Sequence, residues 1–234
     1  MALVDDLRGT VDEIFRTQWT KRDGRVVPAP EDLVMKNEAV EFGRATVLYA
    51  DLTGSTKLVD SKLWTFAGEI YKTYLYCCGR IIRSEGGEIT SYDGDRVMGV
   101  FVGEFQSTSA VRCALKINWA VRNIINPALN KQYASNDYNV QQVVGIDTSG
   151  LRVAKTGVRG DNDLVWIGRA ANHAAKLTAL KNDGPTWITG DVYKWMADEA
   201  KFGGNPRQNM WKQYSWTQMN NIEVWASSWW WSLS

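Results

Sequence analysis

Asp51 and Asp95 are the carboxylates whose setting could do chemistry. The run Ala45-Thr46-Val47-Leu48-Tyr49-Ala50 ends on Asp51, and Asp95 opens a second strand-like run, Arg96 to Val102. If the two runs are sheet neighbours, the carboxylates lie side by side at one edge and repel unless positive charge sits between them. Hard oxygen donors favour Mg²⁺ or Mn²⁺ for that role. Gly54-Ser55-Thr56 follows Asp51 at what reads as the opening of a helix, where free amides suit phosphate oxygens. Together these residues compose a metal-triphosphate site. The alternative is that Asp51 and Asp95 are turn and cap residues, and spacing alone leaves both readings open.

A second polar group lies in Gly168-Arg169-Ala170-Ala171-Asn172-His173-Ala174-Ala175-Lys176-Leu177. Arg169, Asn172 and Lys176 fall at i, i+3 and i+7, one stripe on a helix whose other faces are Ala and Leu. Such a stripe is a solvated face, or it stabilises phosphate charge if it is turned toward the carboxylates. His173 is the chain's only histidine, and no nucleophile motif accompanies it, so it reads as structural.

The elements that must position these residues follow from periodicity and turn signals. Leu3, Leu7, Val11, Ile14 and Phe15 predict a leading helix, and Pro28-Ala29-Pro30 a linker, so residues 1–43 precede a domain spanning 44–234. Leu63 to Ile81 recur at helical spacing and stop at Gly86-Gly87. Asp93-Gly94 between Glu88–Tyr92 and Arg96–Val102 predicts a tight hairpin with positive φ at both turn residues. Ser107 reads as the cap of a second helix. Val140–Asp147 and Leu151–Thr156 predict another hairpin around Ser149-Gly150. From Ala45 the order is strand, helix, strand, strand, helix, strand. That is the α+β, ferredoxin-like (split βαβ) arrangement, an antiparallel sheet with its helices on one face. Additional C-terminal elements follow: a helix after Gly168, a strand over Thr186–Thr189, a helix from Asp191 and a Trp-rich end.

Composition narrows the partners. Lys plus Arg number 27 against 26 Asp plus Glu, which gives no basic field for gripping a nucleic acid. No run approaches the ~20 apolar residues of a bilayer span, and the N-terminus lacks a signal-peptide layout, so the chain reads as cytoplasmic. Cys77, Cys78 and Cys113 suggest neither a disulfide framework nor a zinc site. Seven of the twelve tryptophans lie beyond residue 194, three of them as Trp229-Trp230-Trp231. Those three cannot share one strand face, so at least one should point outward.

Val47 to Thr56, Gly87-Glu88 to Phe101, and Gly168 to Leu177 resemble, in order and spacing, the catalytic domain of class III nucleotidyl cyclases. The resemblance covers roughly Arg44 to Leu180. It implies that Asp51, Asp95 and the Leu52 carbonyl bind two divalent metal ions, Mn²⁺ or Mg²⁺, and that the amides of Thr53, Gly54, Ser55 and Thr56 hold the triphosphate. It also implies a homodimer in which the partner supplies Asn172, which orients the ribose, and Lys176.

The departures from the family pattern are informative. Lys176 stands where the family usually has a transition-state Arg, a point charge in place of a planar fork, so Arg169 could share the role. Ser91 stands at the adenine-reading Lys position, and Val165 at the second base-reading position. Both purine readers are missing. Tyr49, two residues before Asp51, projects from the same strand face; it is either an ordinary sheet aromatic or fills part of a base pocket, which would favour a smaller ring. Arg96 alternates to the face opposite the metal ligand and reads the base or phosphates only if the hairpin twists. The combination is similar to the pyrimidine cyclases of bacterial antiphage (Pycsar) systems, which make cyclic UMP or cyclic CMP. That similarity implies a UTP substrate before CTP, and a downstream cyclic-nucleotide effector. The competing readings are an adenylate or guanylate cyclase with unusual base contacts, a degenerate cyclase that binds nucleotide without turnover, and an RNA-binding ferredoxin-like module, which charge disfavours.

Overall fold

The computed structural model describes residues 2–158, 160–180 and 184–233; Met1 and Ser234, the outer limits of the two expected segments, lie outside them. The chain begins with α1 (Leu3–Arg16), β1 (Thr20–Asp23), β2 (Glu38–Leu52), α2 (Ser55–Ser61) and α3 (Trp64–Ser84). The hairpin β3 (Glu88–Asp93) and β4 (Arg96–Phe101) leads into α4 (Gln106–Ala120), a π-helical turn (Val121–Ile125) and α5 (Asn126–Gln132). Then come β5 (Gln142–Val158), β6 (Asp161–Ile167), α6 (Arg169–Leu177), β7 (Thr186–Thr189), α7 (Gly190–Trp195) and α8 (Asp198–Lys201). Short strands β8 (Phe202–Gly203) and β9 (Gln208–Asn209) precede β10 (Lys212–Trp216) and β11 (Ile222–Ser227).

One sheet runs in the order β10-β11-β7-β5-β2-β4-β3, with β1 alongside the start of β2 and β6 alongside the end of β5. β2 and β5 form its centre, and alternation along β2 sorts the core into two layers. Leu48, Ala50 and Leu52 point to the face covered by α3 and α4, where Tyr74, Ile82, Ala114 and Ile117 close the main core. Ala45 and Val47, with Tyr49 at the margin, point to the other face, where α6 lays Ala170, Ala171 and Ala174 against Met98 and Val100. Helices therefore cover both faces, not one as the sequence order suggests. The three alanines on the inner side of α6, beside the buried Leu177, let it lie close. Its Ala174 carbonyl sits over Gly145, where a Cβ would come within 2.2 Å of that oxygen.

Three local expectations are corrected. The first strand starts at Glu38, not Ala45, because β1 pairs with Glu38–Glu41 in parallel. A bulge between Phe42 and Ala45 breaks the alternation and hides the early half of the strand, so residue 44 falls inside it. Nor does the chain turn at Ser149-Gly150. β5 runs straight through, Ser149 pairing with Ala45 opposite the bulge, and the hairpin partner is β6, entered beyond Val158. Ser107 does not cap α4: it lies inside the helix with its Oγ 3.1 Å from Thr46 Oγ1.

The Trp-rich end packs back on the domain. Trp211 and Trp216 are buried, and Trp225 stacks on Tyr193 at 3.9 Å. Asn118 of α4 donates to the Ser228 and Trp229 carbonyls, and the Trp231 amide donates to the Leu115 carbonyl. Trp229 and Trp231 lie against the main core, and Trp230, 46% exposed, is the ring that points outward. By contrast, the apolar stripe of α1 buries nothing, and Phe15 is 86% exposed.

Candidate active site

The β3–β4 turn consists of Gly94 and Asp95, with Asp93 paired to Arg96. Only Gly94 has positive φ, the glycine position of a type II′ turn, so the turn lies one residue later than Asp93-Gly94 suggests. This shift matters for the site. Asp95 belongs to the turn and escapes strand alternation, while Arg96 sits directly opposite Asp51 in the β2–β4 ladder. Directly opposed residues share a face, so Arg96, Asp51 and Tyr49 project together. The expectation that Arg96 faces away is overturned without any special twist.

On that face the Arg96 guanidinium lies 5.5 Å from the Tyr49 ring centroid. Asp93 orients it, accepting from Nη2 at 2.7 Å and from Nε at 3.2 Å. Ser91 pairs with Met98, which itself opposes Tyr49, so the hydroxyl belongs to the same surface. Burial pushes the Tyr49 phenol up. Tyr49 therefore stays a neutral aromatic with a cation over its ring.

The acidic pair is short of positive charge. Burial, and then the charge of Asp95, push the Asp51 carboxyl up. Asp95 Oδ2 is buried without a hydrogen-bond partner. Neither carboxylate has an ion pair among the described residues, since Arg96 is committed to Asp93. Among these residues no cluster of three or more His, Cys, Asp or Glu side chains exists. An ion here would have to complete its shell from a backbone carbonyl, such as that of Leu52, and from phosphate oxygens. The orphaned carboxylate oxygen and the purely oxygen donor set fit hard divalent cations.

Behind the pair stand residues that sequence spacing did not single out. Tyr74 donates to the Asp51 carbonyl at 3.3 Å. Thr178 Oγ1, just past α6, lies 3.4 Å from Asp51 Oδ2. Burial, with the charges of Asp95 and Asp51, pushes the Tyr71 phenol up. The helical periodicity of α3 gives its tyrosines as core, and nothing in it marks their nearness to the carboxylates.

In the phosphate loop, Gly54 adopts positive φ at the start of α2, and no side chain caps that helix. The Thr53 amide, expected to hold phosphate, donates instead to the Gln141 carbonyl at 2.9 Å. That leaves Gly54, Ser55 and Thr56 to face a ligand.

On α6, Asn172 and Lys176 are exposed. Arg169 does not join them. It ion-pairs with Asp191 and with Asp147, Nε to Oδ2 at 3.2 Å, and donates to the Thr148 carbonyl at 2.8 Å. Two carboxylates of its own chain neutralise it, so it is not a free cation for phosphate. His173 Nδ1 lies 3.4 Å from the same Asp147, and its ring meets Trp216 edge to face, which is a structural setting. Among the cysteines, burial pushes the thiols up, which makes them unreactive.

The fold is that of the class III cyclase domains. The adenylyl cyclase CyaB from P. aeruginosa superposes with a TM-score of 0.65 over 81% of this chain and 95% of its own, at 19% identity. The guanylyl cyclase Cya2 gives 0.67 over 80% and 92%, at 17% identity. No family model matches the sequence. Relatives named uridylate cyclase align over their full length, with 53% identity in Burkholderia cepacia and 50% in Xanthomonas perforans, each chain covered completely. A third, from Rhodovulum sp. (strain MB263), is 34% identical over 98% of both chains. The chain belongs to this uridylate cyclase family and is a nucleotidyl cyclase.

Proposed function

We propose that the enzyme converts UTP, in preference to CTP, into the 3′,5′-cyclic monophosphate and pyrophosphate, as a cytoplasmic homodimer using two divalent cations. The observation that carries the reading is the face shared by Tyr49, Ser91, Arg96 and Asp51. It sets a phenol and an anchored guanidinium beside the metal carboxylate, with both purine-reading groups absent. A guanidinium held by Asp93 offers fixed donors to a uracil carbonyl, whereas the amine of cytosine would meet donor against donor.

Asp51, Asp95 and the Leu52 carbonyl would hold the cations. When bound, these lower the pKa of the ribose 3′-hydroxyl and offset charge on the α-phosphate and the leaving pyrophosphate. The amides of Gly54, Ser55 and Thr56 hold phosphate oxygens. Asn172 of a second copy orients the ribose, and Lys176 of that copy supplies a point charge to the developing negative charge. The product serves as a second messenger in antiphage defence and acts on a separate effector, a role that rests on the family resemblance.

Incubating the purified protein with each of the four nucleoside triphosphates and Mn²⁺ tests the reading. Cyclic UMP as the main product, lost in Asp51→Ala and Asp95→Ala, is expected. Product from ATP or GTP alone would overturn it.

A further inference from the structure

A cavity of about 750 Å³ opens beside the loop that follows β2. It reaches from Asp51 and Gly54 past Thr178 to Arg122 and Gln142. Gln142 is 5% exposed, and both its Oε1 and its Nε2 lack a hydrogen-bond partner. A buried amide left wholly unsatisfied is costly and calls for a ligand or water that it would meet. Arg122 lines the same space and has no ion pair among the described residues. It belongs to the π-helical turn between α4 and α5, a local widening often found at functional sites. Gln142 is also coupled to the phosphate loop, since its neighbour Gln141 accepts the Thr53 amide.

We propose that this cavity receives the terminal phosphates of the substrate and then the leaving pyrophosphate, with Arg122 and the Gln142 amide as their ligands. The inference rests on the cyclase reading, but not on the identity of the base. Its geometric basis is the in-line requirement of phosphoryl transfer, which sets attacking and leaving oxygens on opposite sides of the α-phosphorus. Tyr49 and Asp51 lie on the α6 face of the sheet, so a ribose beside them attacks from that side. The leaving group then departs past Asp51 into the cavity that this residue also lines. Leu52 and its ladder partner Gln142 point to the opposite face of the sheet and line the same cavity. A guanidinium there binds phosphate oxygens in bidentate fashion, and the Nε2 group donates one further hydrogen bond.

Binding of Mn²⁺–pyrophosphate, followed by calorimetry on the full-length protein, tests this. Each charge-assisted hydrogen bond lost should weaken binding by about tenfold or more. Arg122→Met is expected to weaken it at least that much, and Arg122→Lys less. Gln142→Leu is expected to weaken it by several-fold, with unchanged or raised Tm, since it removes an unsatisfied buried amide. In turnover, the same variants should raise KM and the pyrophosphate inhibition constant together for whichever triphosphate is cyclised. Because every triphosphate yields pyrophosphate, failure of the uracil reading leaves this result intact. Pyrophosphate affinity within twofold of the parent in Arg122→Met and Gln142→Leu, in protein where Asp51→Asn abolishes binding, would overturn the proposal.

Discussion

Asp51 and Asp147 project from the same face of the sheet. Asp147 is the ladder partner of Val47, and only Tyr49 stands between Val47 and Asp51 along that face of β2. Burial pushes both carboxyls up, yet their surroundings differ in kind. Asp147 is fully buried and brings its own partners: Thr189 donates to Oδ1, Arg169 pairs with Oδ2, and His173 stands beside it. Asp51 has no ion pair among the described residues: the charge of Arg96, a long contact from Thr178 and a backbone hydrogen bond from Leu52 act on it, beside an Asp95 oxygen that nothing satisfies. A buried carboxylate that comes with its counter-charge holds the fold together. A pair that comes without an ion-pair partner fits the cation site proposed above.

Removing the first kind of carboxylate should cost stability. Asp147→Ala removes the buried acceptor of Thr189 and one of the two carboxylate partners of Arg169, and is expected to lose about 1–3 kcal/mol, read by urea denaturation. Removing the second kind should cost activity instead. Asp51→Ala is expected to lower kcat/KM by more than about 10²-fold while circular dichroism stays unchanged. Asp51→Asn should leave the metal-free protein at least as stable as the parent, because the ionised form is disfavoured where it sits.

Cation binding sharpens the contrast. At a Mn²⁺ concentration about 100 times its Kd, the parent should gain ~2.7 kcal/mol, and Asp95→Asn should gain nothing. If Asp147→Ala lost that gain while Asp95→Asn kept it, the roles of the two regions would be reversed. The smallest effect concerns His173, whose neighbours are Asp147, Arg169 and Lys176. Burial holds its pKa below 6.5. The unfolded chain therefore takes up the proton first as pH falls, and stability is lost on acidification below about 6.5. In His173→Gln the slope of Tm against pH over that window should flatten.

The ferredoxin-like order, the acidic pair and the polar stripe on α6 are all legible in the sequence, because each depends on local periodicity or on a motif. What escaped depends on pairing between distant segments. The bulge at Phe42–Ala45 concealed half of β2, and Ser149-Gly150 read as a turn because nothing local shows a strand passing opposite that bulge. Arg169 read as a free cation because Asp147 and Asp191, which neutralise it, each lie 22 residues away. The side of the hairpin on which Arg96 projects hung on a single residue of turn register.

Gly145 carries a consequence for how such an enzyme can be retuned. With the Ala174 carbonyl resting where a side chain would start, the height of α6 above the sheet is set by backbone contact. Selection cannot raise or lower that helix by small steps, because even one methyl group forces a collision. Adjustments of what this helix contacts must then come from the length and shape of the side chains on its outer stripe. A change of side chain at the exposed Lys176 is the kind of change such a fixed platform permits.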